Sequence, residues 1–113
     1  MSSPCFQTAT FFNFDEMVIS NSFLKLVILD ISAEWCSPCR ALEPILSKVA
    51  SSYPNDEVLF CKLEAEDVNM KIAGSLSVRG FPTVIAFKNG IEVDRFHSTQ
   101  TEDFIFNFIN NCI

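Results

Sequence analysis

"LVILDISAEWCSPCRALEP", Leu26 to Pro44, joins three kinds of sequence. It begins within a continuous apolar run, Leu24 to Ser32, with Asp30 as the one charge in "LVILDIS". Such a run suits a strand covered on both faces, as in a parallel sheet between helices. It ends in a different period. Leu42, Ile45, Leu46 and Val49 recur at helical spacing, which predicts a helix to about Tyr53, kinked by Pro44. Between the two patterns stand Cys36 and Cys39, with Trp35 before them and Pro38 between them. The pair is a redox centre, half of a zinc site, or packing in a core.

The flanking sequence gives the stretch its setting. "EVLFCKLEA", Glu57 to Ala65, reads as a second buried strand and completes a strand–helix–strand unit. "NMKIAGSL" is a short helix or turn. "PTVIAF" and "IEVDRF" flank Asn89-Gly90, a strong hairpin signal. In "TEDFIFNFINNC" the phenylalanines alternate, but helix is the better reading. Thr101 can cap it, and Glu102 and Asp103 suit the positive end of its dipole. Phe104, Ile105, Phe108 and Ile109 then share a face. Nearer the start, "CFQTA" suits a short strand and "FDEMVIS" a short helix. The expected class is α/β: a mixed sheet of four or five strands with helices on both faces. No repeat or linker divides the chain, so residues 1–113 are expected to form one domain.

With 49% apolar residues, the 113-residue chain can build a core without disulfide staples. A net charge of −6, without a basic cluster, disfavours nucleic acid as a partner, because phosphate contacts need Lys and Arg. The start lacks a signal-peptide pattern, and no apolar run reaches the ~20 residues of a membrane span. Five cysteines do not suggest a secreted disulfide framework. A soluble, cytoplasmic monomer is the expectation.

The attacking species in disulfide exchange is a thiolate, and a helix N-terminus lowers a thiol's pKa. Cys36 falls where the predicted strand gives way to the predicted helix, and Pro38 suits the first turn, where no N–H is needed. Cys39 follows one turn later on the same side, and Arg40 adds positive charge. Cys36 is expected at the exposed edge as nucleophile, with Cys39 deeper as the resolving thiol. Trp35 would wall the attacking sulfur. A zinc site needs four ligands, yet Cys5, Cys61, Cys112 and His97 are scattered singly, so no metal is expected. Cys61 reads as core packing, while Cys5 and Cys112 have no assigned role.

Asp30 is either a solvated strand-end residue or a buried carboxyl acting as general base for the pair. Lys62, in the middle of the next strand, is its nearest candidate partner, or else an exposed strand residue. "RGFPT", Arg79 to Thr83, places a proline at the opening of a strand. Local sequence favours an ordinary trans bond at Phe81–Pro82. A cis bond would turn a backbone edge toward the cysteines for an extended substrate.

Taken together, "LVILDISAEWCSPCRALEP", "KLEAED", "VRGFPTVIAFKNG" and the closing helix resemble the thioredoxin family in order and spacing. The resemblance implies a thioredoxin fold with cis Pro82. It implies protein-disulfide reduction by a Cys36–Cys39 dithiol, with Asp30 as the buried carboxylate. It also implies no bound cofactor, with electrons from NADPH through a flavoprotein thioredoxin reductase. Trp35, Phe81, Pro82 and Ser98 would border the substrate groove, with Ser37, Pro38 and Lys62 supporting the site. Ser37 and Ser98 stand where the family usually has glycine. "KLEAED" and "EVDRF" also resemble the thioredoxin-like module of multidomain monothiol glutaredoxins, an interaction unit with little reductase activity.

Overall fold

Strand β2, Leu26–Ser32, is buried along its whole length. A computed structural model describes residues 6–113 and sets this strand at the centre of a five-stranded sheet of order β1-β3-β2-β4-β5. The flanking strands are β1 (Phe6–Thr8), β3 (Val58–Glu64), β4 (Thr83–Lys88) and β5 (Ile91–His97). β1 and β2 both run parallel to β3, while β4 is antiparallel to β2 and to β5. The five-stranded form of the expected mixed sheet is the one observed. Cys5 lies outside the described residues.

Alternation along β2 divides its side chains between two layers. Leu26 and Ile28 pack with Leu42, Leu46 and Val49 of helix α1 (Ser37–Ala50) and Ile105, Phe108 and Ile109 of helix α3 (Glu102–Cys112). Val27, Leu29 and Ile31 pack on the opposite face, with Phe14, Val18 and helix α2 (Met70–Ser75). That face also holds Cys61, fully buried, with its thiol pushed up to about 12 by burial. A packing role fits it. Burying a leucine as fully as Leu46 contributes about 2–3 kcal/mol of transfer free energy.

Local chemistry fixes the element ends. Asn89 and Gly90 both have positive φ, +55° and +85°, as a tight hairpin of the primed type requires. A Cβ at Gly90 would run into the Phe23 ring. Thr101 caps α3, its side chain accepting from the Phe104 N–H at 3.1 Å. Helix α1 continues through Pro44 and ends at Ala50, short of Tyr53. The "FDEMVIS" segment forms a single wide π-type turn, Asp15–Ser20. Phe104 is less buried than its place on the apolar face implied. It remains 43% exposed, with its ring edge-on to Phe96.

Two features of this topology build one end of the sheet. β2 ends at Ser32, and α1 starts five residues later at Ser37. β4 runs antiparallel beside β2, with Thr83 paired to Ile31, so the turn before β4 lies next to the end of β2.

Candidate redox site

Cys36 is the N-cap of α1, with extended backbone (φ −91°, ψ 110°), and Pro38 sits in the first turn. Its Sγ accepts the Cys39 backbone N–H at 3.2 Å. This N–H is one of those that a helix start leaves unpaired, and donating it to sulfur favours negative charge there. The two cysteines form a disulfide across a Cα separation of 5.3 Å. Arg40 ties down the approach loop: its guanidinium donates to the Glu34 carbonyl at 2.6 Å and to Ser37 Oγ at 3.2 Å.

Exposure does not rank the two cysteine residues as expected. Cys36 is 3% exposed and Cys39 7%, so the first is not the more open residue. The reason is the neighbouring turn. The Phe81–Pro82 bond is cis, and the Phe81 carbonyl oxygen lies 3.5 Å from Cys36 Sγ. Phe81 and Ala33 pack with the pair. What separates the cysteines is position at the helix start, not depth.

Around this turn lie Trp35, Pro82 and Ser98. Trp35 is 75% exposed and meets Phe81 edge-on, with centroids 5.8 Å apart. Pro82 is buried, and its carbonyl accepts from the Ser98 N–H at 3.1 Å. Ser98 holds the left-handed conformation (φ +68°), which explains why glycine would suit this position. His97 belongs to this end of the sheet. It ends β5 opposite Thr83, and its Nδ1 lies 3.2 Å from Thr83 Oγ1. Thr99 Oγ1 donates to the Pro38 carbonyl at 2.9 Å, joining the segment before α3 to the cysteine helix.

Asp30 shares the β2 face that α1 covers, and it is buried, 4% exposed. Its Oδ1 has no hydrogen-bond partner among the described residues. Burial pushes its carboxyl up to about 7; the Lys62 charge opposes this, and Glu64 and Glu43 add to it. The solvated reading of Asp30 therefore fails.

Lys62 is Asp30's register neighbour on β3, but it is not its ion-pair partner. Its ammonium pairs with Glu43 Oε2 at 2.5 Å and Glu64 Oε2 at 3.4 Å. Burial works against the Lys62 charge, but the Glu43 hydrogen bond and the surrounding carboxylates outweigh it and hold its pKa above the ordinary value. The three residues line a cleft of about 200 Å³ that also touches Ser32, Cys39 and Arg40. Sequence reasoning missed Glu43. It stands four residues after Cys39, and that spacing marks the same helix side.

The arrangement allows sulfur–sulfur exchange, with a thiolate favoured at the helix start and a buried carboxyl on the covered face. The comparisons agree. The family model described as Thioredoxin matches residues 6–111. A protein named thioredoxin from Chlamydia pneumoniae is 40% identical over 98 residues, 87% of this chain and 89% of that one. A thioredoxin from Rickettsia bellii (strain RML369-C) is 34% identical, over 89% of this chain and 92% of its own. Among solved structures, an N21Q mutant thioredoxin from Halobacterium salinarum NRC-1 superposes with a TM-score of 0.80 at 28% identity. That alignment covers 98% of this chain and 93% of the other. The five-stranded sheet with its flanking helices is thus the thioredoxin fold, and the chain belongs to the thioredoxin family of thiol–disulfide oxidoreductases.

Proposed function

We propose that this protein reduces disulfide bonds in other proteins, with Cys36 as nucleophile and Cys39 as resolving thiol. The Cys36 thiolate attacks one sulfur of the target disulfide. A mixed disulfide forms, and the other target sulfur leaves as a thiolate that takes up a proton. Asp30 takes the proton of Cys39, whose thiolate attacks Cys36 Sγ. The mixed bond breaks, the second target sulfur leaves and is protonated, and the Cys36–Cys39 disulfide remains. Two electrons pass from the dithiol to the target. A flavoprotein thioredoxin reductase drawing on NADPH restores the dithiol; family membership supports this partner. An extended target segment lies against Trp35, Phe81, Pro82 and Ser98.

One observation carries the reading: a sulfur pair at a helix start, above a sheet face holding an unpartnered buried carboxyl. An interaction-only module of the glutaredoxin kind has no use for that carboxyl. The protein works as a monomer in the cytoplasm, a compartment whose reducing poise matches a dithiol reductant. No helix among the described residues is long and apolar enough to cross a membrane.

The test uses Cys36→Ser and Cys39→Ser with a disulfide-bearing protein on a non-reducing gel. Cys39→Ser should accumulate a mixed disulfide through Cys36, and Cys36→Ser should not. An adduct from Cys36→Ser alone would reverse the assignment.

A further inference from the structure

Lys62 is placed to form an ion pair with Asp30 and does not. Parallel pairing sets the two residues side by side on the same sheet face, and adjacent strands lie only about 4.8 Å apart. The lysine instead turns to the cleft, where Glu43 of α1 and Glu64 of β3 grip its ammonium at 2.5 and 3.4 Å. Glu43 is 56% exposed at its side chain and takes no part in the core, so no packing need explains a carboxylate there.

We propose that Glu43 is a positioning residue for the resolving step: with Glu64 it clamps the Lys62 ammonium on the cleft side and keeps that cation off Asp30. The proposal rests on Asp30 as the base that deprotonates Cys39, and it names what sets the pH at which that base works. A cation brought into contact with a carboxylate lowers its pKa by about 1–3 units. The clamp holds the ammonium short of contact, so Asp30 feels only its longer-range attraction. Glu43 and Glu64 also repel the Asp30 carboxylate directly, in the same direction.

The other groups near Asp30 leave this balance with the clamp. On its remaining side, its register partner on β4 is Val84, which is apolar. On α1 the cysteines are joined in the disulfide, and Arg40 is turned to Glu34 and Ser37. Glu34 and Glu66 line the cleft from the loops after β2 and β3.

The experiment pairs Glu43→Gln with Lys62→Met and reads the Asp30 carboxyl directly, by its carbon NMR shift against pH, in the full chain. Glu43→Gln keeps the shape of an exposed side chain. It should lower the Asp30 titration by about one pH unit as Lys62 swings toward Asp30. Ionisation of Asp30 at pH 6 would then rise roughly fivefold, and the rate of resolving the mixed disulfide at that pH should rise by a smaller factor, because the more acidic carboxyl is the weaker base. In the Lys62→Met background the same substitution should move Asp30 far less, because only the direct repulsion is removed. No shift with Glu43→Gln, or an equal shift in both backgrounds, would overturn the clamp. Failure of the underlying reading looks different: Asp30→Asn would leave the pH–rate profile in place while the NMR titration still decided the clamp.

Discussion

Replacing Asp30 with asparagine should stabilise the protein at pH 8 and not at pH 4. In the unfolded chain the carboxyl ionises at 3.8; in the folded chain burial defers this to about 7. A carboxyl with a raised folded value favours folding most when it is protonated in both states. Its contribution is intact below pH 3.8 and is lost as pH rises from there through about 7. Across that window the folding equilibrium weakens by up to tenfold per pH unit, and it levels off above. A gap of about three units is worth about 4 kcal/mol, since each unit is about 1.4 kcal/mol. Asp30 is buried, so solvent screening removes little of this. Asparagine escapes the ionisation cost but buries an amide in a place where Oδ1 finds no partner, at about 1–3 kcal/mol. The net gain at pH 8 should be about 1–3 kcal/mol, falling to nothing or reversing at pH 4. Urea midpoints of both proteins between pH 4 and 9, at fixed redox state, measure it. A stability difference that does not change with pH would refute the reasoning, as would a less stable Asp30→Asn at pH 8.

Two further substitutions test the frame around the site. Ser98→Gly relieves a side chain held at φ +68° and should add about 1 kcal/mol, read as a higher urea midpoint; a lower midpoint would mean that the serine hydroxyl outweighs the backbone. Thr101→Ala removes the acceptor for the Phe104 N–H and should cost about 1 kcal/mol, with α3 losing amide-exchange protection at its first turn; unchanged protection there would deny the cap its role.

What the sequence disclosed and what it withheld divide along a physical line. Periodicity and turn chemistry are local, so the apolar run of β2, the helical spacing of α1 and the Asn89-Gly90 turn were readable from adjacent residues. The Cys36–Cys39 pair was readable for the same reason, because one helical turn joins its members. Side-chain partnerships across elements were not. Lys62 faces Asp30 in register, yet its ion pairs are set by Glu43, which reaches the cleft from another element. The cis form of Phe81–Pro82 ran against the local preference and came only from the resemblance. The burial of Cys36 is not legible locally, because the Phe81 turn that covers it is 45 residues away in the chain. His97 gained a partner through the β4–β5 register, which no single strand reveals.

The most direct test is a stoichiometric reaction. Fully reduced protein is mixed with insulin, without reductase or other thiols, and each disulfide formed is mapped by mass. The account predicts one Cys36–Cys39 disulfide for every insulin disulfide opened, with Cys61 still a free thiol. Insulin left intact, or oxidation that bypasses the Cys36–Cys39 pair, would contradict it.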